Sequence, residues 1–219
     1  MFKLSMRRQA PLMLCAALAG CASTQPHPYA NLQSSPELRP NPSDDTGHIP
    51  YRVSRDVDWS QYSSIIMDPV LIYRGTDHQF EEISEQDKDA LASHMRRQFA
   101  AKLKSRFALA SVPAGGTLRL RLTLTGAKTT TRGLSTFLRF DLAGGPYNAV
   151  QAARGKEGAF TGSISYAVEI FDASTHELLN AFVTKQYPNA WNLGATFGTL
   201  DAARVGIDKG AAELLAQLQ

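Results

Sequence analysis

Cysteine is almost missing from these 219 residues: Cys15 and Cys21 are the only two. Past position 21 the chain therefore offers no disulfide, no thiol nucleophile and no thiolate metal site. An excess of one charge is missing as well. The net charge of +3 comes entirely from Lys3, Arg7 and Arg8, because residues 1–20 hold no acidic side chain. The 23 basic residues less those three leave 20 against 20 acidic ones, without the electrostatic footprint of a nucleic-acid binder. No apolar run is long enough to cross a bilayer; the one from Ala10 to Gly20 is roughly half the ~20 residues required. Catalytic signatures are absent too: no Gly-x-Ser-x-Gly, no phosphate loop and no His-Glu-x-x-His. The five histidines, His27, His48, His78, His94 and His176, are scattered. No catalytic residue, metal ligand or cofactor is assigned, and a non-enzyme is favoured. A catalytic set assembled from distant residues stays open.

What is present begins with an address. Lys3, Arg7 and Arg8, a short apolar stretch and small residues at its end form the pattern of a secretory signal peptide over residues 1–20. Leu18-Ala19-Gly20-Cys21 resembles a bacterial lipobox. That resemblance implies acylation (palmitate among the acyl groups), cleavage before Cys21, and Cys21 as the lipidated N-terminus. Ala22 is not Asp, which by the same resemblance points to the outer membrane, with the periplasmic face as the default. From position 21 to 55 the composition turns to Pro, Ser, Asn and Gln, and apolar residues show no period. The expectation is a disordered Pro-rich tether with an r.m.s. span of roughly 30 Å, letting the domain stand off the membrane.

Residues 56–219 read as one domain. Ser63 to Tyr73 is a strand interrupted or ended at Pro69. Ser84-Glu85-Gln86-Asp87 is a capping-box variant opening a helix whose Leu91, Met95, Phe99 and Leu103 recur every four residues. Thr117 to Thr125 alternates leucine with Thr and Arg, the period of a half-buried antiparallel strand whose Arg119 and Arg121 face solvent. Residues 163–172 and 178–187 form a hairpin, with His176 at a turn position that favours a left-handed backbone. A last helix from about Asp201 buries Ala203, Ile207, Ala211, Leu214 and Leu218, and Gly206 and Gly210 let it lie close to its support. The expected fold is α+β: a mostly antiparallel or mixed sheet of about four to five strands, with two amphipathic helices packed on one face.

Together with the Leu-Ala-Gly-Cys tetrad, Asp58-Trp59-Ser60-x-Tyr62, Asp68-Pro69-Val70 and Asp172-x-Ser174-Thr175 resemble an uncharacterised bacterial lipoprotein family, domain of unknown function 3313. The resemblance runs from about Val57 to the C-terminus and implies an envelope location with no established activity. It departs at His176, where glycine is expected.

Two long connections without regular elements, about 126–162 and 188–198, should leave the sheet at the same end. They carry Phe137, Phe140, Tyr147, Trp191 and Phe197. Apolar and aromatic residues gathered at one rim either pack as a lid or form an interface. The leading expectation is a non-catalytic envelope protein whose rim binds a protein or peptidoglycan partner. The alternative is a periplasmic hydrolase or small-ligand binder with a pocket under the 126–162 connection.

Overall fold

A computed structural model describes residues 25–130, 162–188 and 200–219. Its spine is the leucine strand. In order, the elements are β1 (Arg39–Pro40), β2 (Tyr51–Ser54), β3 (Ser64–Met67), β4 (Leu71–Ile72), β5 (Gln79–Phe80), α1 (Glu85–Leu103), β6 (Ala108–Leu109), β7 (Thr117–Lys128), β8 (Ser163–Asp172), β9 (Leu178–Gln186) and α2 (Asp201–Gln217).

β7, β8 and β9 form the expected antiparallel meander, and β2 then β1 extend it beyond β9. The other side of β7 is parallel: β3, β4 and β5 pair with it in succession, and β6 adds to β3. Pro69 lacks a donor N–H, so the chain steps out of the ladder between β3 and β4, leaving β7 opposite Leu120 and re-entering opposite Thr123. The described residues thus form a nine-stranded mixed sheet, larger than the four to five strands expected. Of the additional strands, β1, β4, β5 and β6 are two residues each, too short to show alternation in the sequence, and β2 is four residues within the stretch expected as tether.

Both helices pack on one face. Ser84 caps α1: its Oγ accepts from the Asp87 N–H at 3.1 Å and donates to Asp87 Oδ2 at 2.8 Å. The four-residue stripe Leu91, Met95, Phe99 and Leu103 is fully buried, meeting the β7 leucines and the α2 face of Ala203, Ile207, Ala211 and Leu214. His94 Nε2 and Asp208 Oδ1, 3.0 Å apart, link the two helices.

The opposite face corrects two expectations. The chain from Gln25 to Leu38, expected within a disordered tether, lies across the sheet as a strap. Tyr29, Leu32, Leu38 and Val53 are buried there with Tyr73, Ala167, Phe171, Leu178, Ala181 and Val183. The tether reading therefore fails over residues 25–54, where β1 and β2 also belong to the sheet. Arg119 and Arg121, expected to face solvent, lie on this covered face about two-thirds buried. Arg119 Nε sits 3.1 Å from Asp68 Oδ1, and Arg121 lies 3.7 Å from Asp68 Oδ2 and 3.9 Å from Glu169 Oε2. Glu169 is buried and accepts the Ser34 N–H at 2.7 Å, so the strap is fastened through its backbone as well as its side chains.

Candidate functional site

The sheet has two different ends, and the residues singled out by sequence divide between them. At the turn end, the β8–β9 hairpin closes over Asp172. Its Oδ1 accepts the N–H groups of Ser174 and Thr175 at 2.8 and 2.9 Å and the Ser174 hydroxyl at 2.6 Å. His176 takes φ 62°, the left-handed conformation expected of it, so the hairpin keeps its geometry without glycine.

Tyr62 Oη donates to the other oxygen, Asp172 Oδ2, at 3.1 Å. Burial acts to raise the Asp172 pKa, but the donors from Ser174, Thr175 and Tyr62 outweigh it and hold the carboxyl down at about 2. The Tyr62 phenol is pushed up to about 12, first by burial and then by its bond to Asp172.

One segment earlier, Asp58 caps the short 3-10 turn Trp59–Gln61 by accepting from the Ser60 N–H at 3.0 Å. Arg106, which the sequence reading passed over, ties this corner to both helices. Its guanidinium donates to the carbonyls of Trp59 at 2.7 Å, Tyr62 at 3.2 Å and Leu218 at 3.0 Å. Asp58, Tyr62, Asp68 and Asp172, the polar residues that carried the family resemblance, are thus each occupied in holding elements together.

The loop end is built differently. Lys128 of β7 pairs with Ser163 of β8, and Ile164 pairs with Gln186 of β9. The described residues that flank 131–161, and the end of β9 before 189–199, therefore lie at one end of the sheet. Gly162 N–H donates to Thr130 Oγ1 at 3.3 Å and clamps the base of the first stretch. The start of α2 packs against the same point, with Ala202 Cβ 3.0 Å from where a Gly162 Cβ would lie. The five aromatic residues expected at this rim, Phe137, Phe140, Tyr147, Trp191 and Phe197, lie outside the described residues, and so does Cys21. The expected pocket under 126–162 falls on the same undescribed stretch. An open groove of about 450 Å³ lies elsewhere, at the β1–β2 edge, lined by Glu37, Arg39, Asn41, Arg52 and Ser54. Among the described residues no His, Cys, Asp or Glu cluster suits a metal ion, and no helix is long and apolar enough to cross a membrane.

The strap ends at the loop end. Gln25 O accepts from Gln79 Nε2 at 2.7 Å, and His27 Nε2 lies 3.0 Å from Asp77 Oδ2. Asp77 also accepts from Tyr73 Oη at 2.8 Å, and the bonds from His27 and then Tyr73 hold its carboxyl below the usual range.

Comparison with known proteins gives a family. The family described as "Protein of unknown function (DUF3313)" matches residues 28–214. No curated protein matches the chain. Among solved structures, PelC from Paraburkholderia phytofirmans, crystallised as a dodecamer, is 11% identical with a TM-score of 0.40, covering 75% of this chain and 94% of that one. The hypothetical protein CT253 from Chlamydia trachomatis is 11% identical with a TM-score of 0.34, covering 71% and 95%. Protein XCC0632 from Xanthomonas campestris, of family DUF330, is 12% identical with a TM-score of 0.35, covering 75% and 89%. Similarity at this level carries no argument about activity or assembly.

Proposed function

The chain belongs to the DUF3313 family, and from that premise we propose a lipid-anchored, non-catalytic protein of the bacterial envelope whose loop-bearing end is its interaction surface. Cys21 carries the acyl chains, and the domain sits at the outer membrane on its periplasmic side. Several acyl chains, at about 0.8 kcal/mol per buried CH₂, make such attachment effectively permanent. A protein or cell-wall partner is the occupant that the aromatic composition of residues 131–161 and 189–199 favours.

The observation that carries this reading is how the motif residues are used. A catalytic carboxylate needs access to substrate. Asp172 is capped by Ser174, Thr175 and Tyr62, and Asp68 is held between two arginines. These groups hold strands and turns in place, which favours recognition over catalysis as the role of the domain.

Fatty-acid labelling of growing cells tests the anchor: label enters the wild type, and Cys21→Ser loses both the label and its place in the membrane fraction. Crosslinking in intact cells tests the surface, with Trp191→Ala and Phe140→Ala expected to lose a partner that the wild type captures. Unchanged crosslinks in both variants would count against recognition through these stretches.

A further inference from the structure

We infer that the end of the sheet marked by Lys128, Ser163 and Gln186 faces lipid, because the strap leaves Cys21 little room to stand off; this rests on the proposal that Cys21 is acylated. Four peptide steps separate Cys21 from Gln25, a reach of at most about 14 Å. A free 34-residue tether would have allowed roughly twice that as an average span.

Gln25 is fastened at a definite place. Its carbonyl meets Gln79, and Gln79 pairs with Gly126 of β7. Gly126 pairs with Ser165 of β8, and Ser165 with Lys185 of β9. The first fastened residue after the anchor therefore lies in one transverse row of the sheet, close to the strand tips Lys128, Ser163 and Gln186.

The strap then runs away from this row along the covered face. Tyr29 packs on Tyr73 with ring centroids 5.0 Å apart, and Gln33 Oε1 accepts from Arg121 at 3.2 Å. The Ser34 N–H reaches Glu169, and Glu37 meets Arg55, which also holds Glu177 of the hairpin turn. Fastened from one end of the sheet to the other, the strap cannot swing, and its direction fixes which end meets the membrane. β7 is 12 residues long, so the turn end lies about 35 Å from this end along the strand. The charged side chains described near the row are both acidic and basic, Glu81 with Lys128 for example. The acyl anchor supplies the attraction, and the fold supplies the orientation. The phospholipid surface is the neighbour of this end, so the partner proposed above is one met at the bilayer.

The test places one thiol at either end of the lipidated full chain, in which Cys21 is blocked as a thioether. Lys128→Cys marks the loop end at a part-exposed side chain; Gly115→Cys marks the turn end, where a Cβ meets nothing within 4 Å. Each protein carries one fluorophore and is reconstituted into phosphatidylethanolamine–phosphatidylglycerol vesicles containing a headgroup nitroxide. Emission is expected to be lost at position 128 and retained at 115. Equal quenching at both positions, or quenching at 115 alone, overturns the orientation while the anchor stands. A chain that fails to incorporate fatty acid in cells overturns the anchor and the orientation with it. A 15-residue Gly/Ser insertion between Thr24 and Gln25 should remove the difference between the labels. If the difference survives the insertion, the strap is not its cause.

Discussion

Tyr62 Oη and Asp172 Oδ2 lie 3.1 Å apart across 110 residues of chain. One belongs to the segment that leads into β3, the other to the turn between β8 and β9. The same carboxylate organises the hairpin, so one side chain closes the turn locally and pins a distant segment to it. Of the Asp172-x-Ser174-Thr175 motif, the local half was legible as a turn; the bond to Tyr62 appears only in three dimensions.

A carboxyl held at about 2 against an ordinary 3.8 stabilises the folded chain only while it is ionised. Its contribution is complete above pH 3.8 and is lost as pH falls toward 2, on the order of 1 kcal/mol after allowance for solvent screening. Asp172→Asn is expected to flatten the acid limb of the stability curve, read as urea midpoint against pH. The Tyr62 phenol, raised to about 12, has the opposite sign: its contribution is present below pH 10 and is lost on the way to 12. Tyr62→Phe removes that alkaline loss and weakens the acid limb together with Asp172.

Gly210→Ala sets two effects against each other. Alanine favours the α2 helix by about 0.5–1 kcal/mol over glycine. A Cβ at position 210 would lie 1.8 Å from Tyr166 Oη and 3.1 Å from Cζ, however, and Tyr166 is 1% exposed, with its ring edge-on to Phe99. Overpacking of this kind costs about 1–3 kcal/mol, so the variant is expected to be less stable, with a lower urea midpoint. Tyr166→Phe in the same chain removes the hydroxyl that clashes, and the double variant should lose less than the sum of the single ones.

Periodic features were legible, and irregular ones were not. The four-residue stripe of α1, the leucine alternation of β7 and the glycines of α2 each repeat a geometric period, and the structure uses them as read. Tyr29, Leu32 and Leu38 have no period, because the strap docks as an irregular chain onto a surface made elsewhere. Its prolines suit extended backbone, whether that backbone is solvated or docked. The covering strap also explains the misreading of Arg119 and Arg121. Alternation places them opposite the leucines, but only the fold shows that Asp68 and Glu169 wait there. Arg106 was invisible for another reason: its three acceptors are backbone carbonyls, which leave no mark in a sequence.

Removal of residues 22–38 separates a spacer from a structural strap. A spacer could be deleted without harm to the domain. Here deletion uncovers Ala167, Phe171, Leu178, Ala181 and Val183 on the sheet face, a contiguous apolar surface prone to association. A non-lipidated chain beginning at Arg39 is expected to precipitate or self-associate, whereas one beginning at Gln25 stays monodisperse in light scattering. The single change Tyr29→Ala, at a side chain with no exposed surface, should cost about 3 kcal/mol by denaturant unfolding.

Glu169 fastens the strap by a different force, and its variants separate charge from hydrogen bonding. The carboxylate is buried, with Oε1 on the Ser34 N–H at 2.7 Å and Oε2 3.9 Å from Arg121. The long second contact is weak as an ion pair, and Arg121 keeps Asp68 at 3.7 Å without it. Loss of charge alone should therefore matter little: Glu169→Gln retains a carbonyl for Ser34 and is expected to stay within about 1 kcal/mol of wild type. Glu169→Leu leaves the Ser34 N–H buried without that acceptor, a loss of about 1–3 kcal/mol. The discriminating measurement is amide hydrogen exchange at Ser34, expected to be protected in wild type and Glu169→Gln and fast in Glu169→Leu. Slow exchange in the leucine variant would mean that the apolar contacts of Tyr29, Leu32 and Leu38 alone hold the strap down.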